Sequence, residues 1–86
     1  MDKTIHSPEH AHLIALLRAL RLAAGLNQSD LAERLGVSQT WVSKYENGER
    51  RLDLVQLRRV CEVLGTTTAE VVRRWEAEVR RDAKAR

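Results

Sequence analysis

The chain has 86 residues, which is enough for one compact domain with a small core. Hydrophobic residues make up 43% and charged residues 31%, a balance that favours a folded protein over a disordered one. The formal net charge of +3 permits binding to a polyanion without requiring it. No run approaches the roughly 20 apolar residues of a membrane span, and no secretion signal precedes the first helix pattern, so we expect a cytoplasmic protein with no membrane partner.

Helix signals recur in five places along the chain. Ser7 followed by Pro8 is a typical helix start, and Gly25 is a typical helix end. Apolar residues recur at helical spacing after each capping residue, and they do not alternate with polar residues over the length of a strand. The fourth helix, for example, has an apolar set that begins at Leu54 and ends at Leu64. The four later helices are expected to begin after the capping residues Asn27, Ser38, Asp53 and Thr67.

The sequence therefore predicts an all-α fold of five helices. We expect a flexible N-terminal arm at residues 1–6, a helical domain at residues 7–65 and a further C-terminal helix at residues 66–86. No internal repeat or low-complexity linker divides the chain.

The most informative stretch is residues 28–48, where two short helices are separated only by Gly36, Val37 and Ser38. So tight a joint turns the second helix steeply away from the first, which is the geometry of a helix-turn-helix. Gln pairs with adenine, Lys reaches guanine, and Thr offers both a hydroxyl and a methyl group, so a helix face with these residues suits the major groove of DNA. The alternative is an ordinary solvated face. The residues on this face, opposite the apolar positions of the same helix, are Gln39, Thr40, Ser43 and Lys44.

Residues 13–64 resemble the Cro/CI-type (XRE-family) helix-turn-helix domain. The resemblance implies a lambda-repressor-like fold with the helix-turn-helix at helices two and three. It also implies a sequence-specific, double-stranded-DNA-binding transcription regulator. The matching residues are Arg18, Arg21, Gly25, Leu26, Asn27, Gln28, Leu31, Ala32, Gly36, Val37, Ser38, Val42, Ser43, Glu46, Asn47 and Gly48.

The same resemblance implies a role for several residues. Gln28 matches a residue that contacts phosphate and braces the first recognition residue, and Asn47 matches a second phosphate contact. Arg21 and Glu46 match a structural ion pair that joins the first helix to the end of the third. The base-reading positions would be those of the polar face, namely Gln39, Thr40, Ser43 and Lys44.

Three further residues flank this polar face. Arg50 and Arg51 follow Gly48 directly, and we expect them to bind phosphate, with simple solvation as the alternative. Trp41 follows Thr40, and it either contacts the sugar-phosphate backbone or a thymine methyl group, or packs on a neighbouring helix.

The C-terminal helix extends past the point where many domains of this family end. Its apolar stripe of Val72, Trp75 and Val79 is expected to form a homodimer interface, and packing into the chain's own core is the alternative. A dimer would bind a palindromic operator, most simply as a repressor. The competing hypothesis is an antitoxin of a toxin–antitoxin pair, or an adaptor that binds another protein through this helix.

Cofactors and catalysis are not expected. The single cysteine, Cys61, lies between apolar residues of a helical pattern and is expected to be buried. His6, His10 and His12 lie near the N-terminus without further ligands at metal-binding spacing. The sequence contains no nucleophile–base pair or glycine-rich phosphate loop, so we expect neither an enzyme nor a metal site.

Overall fold

The computed structural model describes residues 7–85, and within them it contains five α-helices and no strand. The predicted five-helix, all-α fold is confirmed. The arm expected at residues 1–6 lies outside the described residues. The helices are α1 (Pro8–Ala23), α2 (Gln28–Leu35), α3 (Gln39–Glu46), α4 (Leu54–Val63) and α5 (Thr68–Ala85).

Side-chain caps begin the helices where the sequence predicts them. At two of these starts the bond is reciprocal, because Asp30 accepts from the backbone N–H of Asn27 and Gln56 accepts from that of Asp53. At the start of α5 the Glu70 carboxylate instead binds Arg73. The side chains that accept a hydrogen bond from the backbone N–H three residues further on are Ser7, Asn27, Ser38, Asp53 and Thr67.

The joint between α2 and α3 depends on Gly36, whose φ of 74° lies in the left-handed region. This conformation is strained for a residue with a Cβ atom, so glycine fits the turn best. The Val37 backbone N–H then donates to the Ala32 carbonyl at 3.0 Å, and the Val37 side chain packs against the core. The turn therefore places α3 firmly across α2.

The core draws on all five helices, so α5 is part of the same folded unit. Cys61 is fully buried, and burial raises the pKa of its thiol, as expected for a structural cysteine. Leu54 begins the apolar set of α4, yet this first residue of the helix is 71% exposed. The fully buried side chains are Leu17, Leu31, Val42, Tyr45, Val60, Cys61 and Val71.

Polar contacts fix α5 alongside α1. The indole N–H of Trp75 donates to the Glu9 carbonyl at 2.8 Å, and His12 lies 3.2 Å from the Asp82 carboxylate. Trp75 is thus engaged within its own chain, whereas Val72 on the same helix remains 36% exposed. Among residues 7–85, no helix is both long enough and apolar enough to cross a membrane.

Candidate nucleic-acid interface

The predicted polar face of α3 lies at the protein surface. Gln39, Thr40 and Lys44 are exposed and Ser43 is half-buried. On the opposite side of the helix the core residues Val42 and Tyr45 are 0% and 1% exposed. This division follows from the helical period, which puts residues three or four apart on one side.

A buried ion pair anchors the C-terminal end of α3 to α1. Arg21 donates to both carboxylate oxygens of Glu46, from Nε at 2.7 Å and from Nη2 at 3.0 Å. A third donor, Nη1, binds the Leu26 carbonyl at 2.8 Å. The two side chains are only 6% and 3% exposed, and the hydrogen bond to Glu46 raises the pKa of Arg21. Such a bidentate pair fixes both distance and orientation.

The same carboxylate is linked to the exposed start of α3 through Gln28. The Gln28 amide nitrogen donates to Glu46 Oε1 at 3.0 Å. Its amide oxygen accepts a hydrogen bond of 2.8 Å from Gln39 Nε2. The first residue of α2 therefore connects the buried ion pair to the first residue of α3.

The chain leaves α3 through a compact turn. The exposed Asn47 donates from Nδ2 to Ser43 Oγ at 3.4 Å. Backbone N–H groups of Glu49 and Arg50 both donate to the Lys44 carbonyl, at 2.9 and 3.2 Å. These bonds hold the residues after the helix close to its polar face.

Trp41 packs on its own helix and against the core. Its ring meets that of Tyr45 edge to face, with centroids 5.6 Å apart. The Arg50 guanidinium lies over the Trp41 ring, 5.5 Å from its centroid, in cation–π geometry. Arg51 is also exposed and lines a cavity whose other walls include Leu13 and Trp75.

Among residues 7–85, no group of three or more His, Cys, Asp or Glu side chains is arranged so that it could hold a metal ion.

Comparison with known sequences and structures identifies the family. Residues 12–75 match a family described as a helix-turn-helix domain. The chain belongs to this family. It is 43% identical to a solved XRE-family-like protein from Pseudomonas syringae, with a TM-score of 0.80 over 88% of this chain and 93% of that one. The expected membership of the XRE-type family of DNA-binding helix-turn-helix transcription regulators is therefore confirmed.

Two other relatives of this XRE-type protein are named as regulators. It is 28% identical to the clp gene regulator ClgR from Corynebacterium glutamicum, with a TM-score of 0.79 over 92% of this chain and 84% of that one. It is also 37% identical over 62 residues, 72% of this chain, to a protein of Rhodospirillum rubrum described as an uncharacterized transcriptional regulator in the ATPase CF(0) region. The chain spans 56% of the length of that relative.

Two contacts of this XRE-type protein have no signal in the sequence. The Gln28–Glu46 hydrogen bond joins residues 18 positions apart, and the Trp75–Glu9 bond joins residues 66 positions apart. Capping patterns and periodicity operate over only a few residues, so they report nothing at these separations.

Proposed function

We propose that this protein binds double-stranded DNA sequence-specifically and regulates transcription by placing α3 in the major groove. The observation that carries this proposal is the braced Gln39, whose exposed amide is held by Gln28 at 2.8 Å. Glutamine binds adenine through two parallel hydrogen bonds, and a fixed amide satisfies that geometry without first being ordered. Thr40, Ser43 and Lys44 lie on the same face and are proposed to contact neighbouring bases.

Residues around this face are proposed to bind the phosphate backbone. Gln28 is the first residue of α2, Asn47 directly follows α3, and Arg50 and Arg51 come shortly after it in the chain. The exposed edge of Trp41 would contact the DNA backbone, and its ring would hold the Arg50 guanidinium in place. Contacts of this kind set the position of a protein on DNA, while base contacts set the preferred sequence.

Replacing Gln39 by alanine should relax the base preference at the position that Gln39 contacts, at a cost of about 1–3 kcal/mol there. Arg50→Ala is the matched comparison. It should weaken binding to all sequences alike and make the dependence of log K on log salt less steep by about 1. Selection of bound sequences from random DNA, followed by anisotropy titrations at several salt concentrations, measures both effects.

The two variants separate base contacts from phosphate contacts. A uniform loss with Gln39→Ala would argue against base reading by that residue. An unchanged salt slope with Arg50→Ala would remove Arg50 from the phosphate contacts. If the unaltered protein enriches no sequence, the proposed function itself fails.

We further propose that the protein acts in the cytoplasm as a homodimeric repressor on a palindromic operator, through binding and without catalysis. Half-sites would then lie about 34 Å apart, which is one turn of DNA. In this proposal residues 7–65 bind DNA and residues 66–86 carry the dimer contact through Val72, Trp75 and Val79. The 36% exposure of Val72 supports this proposal, while Trp75 and Val79 are half-buried and would contribute their outer edges.

The substitution Val72→Glu should weaken dimerisation about tenfold or more, equivalent to about 1.4 kcal/mol, because it places a charge in an apolar contact. Val55→Glu provides the matched control, since Val55 is another valine on a helix and is 62% exposed. Sedimentation equilibrium measures the monomer–dimer constant for each variant. Dissociation by Val55→Glu alone would place the interface at α4 and contradict the proposal for α5.

A further inference from the structure

We propose that Glu46 determines the hydrogen-bond polarity with which Gln39 meets its base, acting through Gln28. The inference rests on the proposed function and assigns to this buried carboxylate a positioning role in sequence preference. It is carried by the continuous path of hydrogen bonds from Arg21 to Gln39.

The first step is that both oxygens of the Glu46 carboxylate accept hydrogen bonds from Arg21, and a carboxylate paired in this way is an acceptor only. It therefore accepts from every neighbour, and Gln28 must turn its NH2 group toward it, at 3.0 Å. A flipped Gln28 amide would bring its oxygen against a carboxylate oxygen. Because the Glu46 side chain is only 3% exposed, little water is available to relieve that repulsion.

The second step follows from the first. With its NH2 group on Glu46, Gln28 presents its amide oxygen to Gln39, and an amide oxygen can only accept. Gln39 must then turn its own NH2 group toward Gln28, at 2.8 Å. Both amides are thus oriented by one buried negative charge.

The third step concerns what remains for DNA. Gln39 keeps one N–H donor and its amide oxygen, in a fixed order across the exposed end of α3. Adenine presents the N7 acceptor beside the N6 donor in the major groove, which is the complementary pair. An amide that is free to flip offers its two groups in either order and discriminates less well between bases.

The experiment compares base preference in Glu46→Gln with that in Gln28→Leu. Glu46→Gln keeps the shape of the side chain but allows either hydrogen-bond polarity. It also weakens the pairing with Arg21, so its folding is checked by circular dichroism. Gln28→Leu leaves the Arg21–Glu46 pair in place and interrupts the path to Gln39. Gln39→Ala identifies the base pair that Gln39 contacts. Lys44→Ala identifies a base pair contacted by a residue outside the hydrogen-bond path.

Both path variants should reduce the preference for adenine at the base pair identified by Gln39→Ala, by about tenfold, and leave the other positions unchanged. Gln28→Leu should also weaken binding uniformly through its phosphate contact. A uniform loss of affinity in Glu46→Gln, with the adenine preference retained, would show that Glu46 has a merely structural role and would overturn the inference. In that case Gln39 would still read DNA, so the proposed function would stand. If neither the variants nor the unaltered protein shows any base preference, the proposed function itself is wrong.

Discussion

Replacing Arg21 by methionine should lower the free energy of unfolding by about 3–5 kcal/mol, because the Glu46 carboxylate is then buried without its cation. The pair is almost completely removed from solvent, with exposed side-chain fractions of 6% and 3%. The Leu26 carbonyl also loses its donor at 2.8 Å. Denaturation by urea, followed by circular dichroism, measures the change.

Arg73→Met is the matched control for this prediction. Arg73 also lies 2.7 Å from a carboxylate, that of Glu70, but this pair is on the surface of α5. Water screens such exposed pairs, so stability should change little. If the two substitutions destabilised the protein equally, burial would not be what makes the Arg21–Glu46 pair important.

Replacing Tyr45 by alanine should also cost about 3–5 kcal/mol, the range expected when a buried aromatic side chain is truncated. Tyr45 is 1% exposed, is among the largest fully buried side chains, and supports the inner side of α3. Its edge-to-face contact with Trp41 would be lost as well. Thermal and urea denaturation would report the loss of stability, and DNA titrations below the melting temperature would report how far α3 depends on this support.

Tyr45→Phe separates the ring from its hydroxyl group. Within the described residues the Tyr45 hydroxyl has no hydrogen-bond partner, so its removal should leave stability nearly unchanged at neutral pH. Burial raises the pKa of Tyr45 above its ordinary value of 10.0. Above pH 10.0 the unfolded chain loses the hydroxyl proton before the folded one does, so the free energy of unfolding declines as the pH rises. Alkaline destabilisation should therefore be smaller in Tyr45→Phe. A large loss at neutral pH would instead point to a hydrogen bond of that hydroxyl.

The local features of the fold were predictable because their causes are local. Ser38 caps α3 through a bond that spans three residues, and Gly36 adopts the left-handed turn that its missing Cβ allows. The position of the polar face of α3 follows from the same short-range logic, since Val42 and Tyr45 must face the core.

Tertiary relations were less accessible from the sequence. Leu54 begins an apolar pattern, yet its place at the first turn of α4 leaves it exposed. The contact of Trp75 with α1 depends on how two distant helices pack, and periodicity alone cannot distinguish it from a free apolar stripe. The orientation of Gln28 is hidden for the same reason, because its partner Glu46 comes from another helix.

The bond between Gln28 and Gln39 has a practical consequence for changing the sequence that this protein recognises. A library that varies only the exposed positions of α3 would treat position 39 as independent, although a glutamate there would set its carboxylate against the Gln28 amide oxygen. Positions 28 and 39 therefore need to be varied as a pair. Thr40 and Lys44 are exposed positions on the same face and can be varied singly. Engineering this protein to recognise new operators would gain most from varying the two positions together.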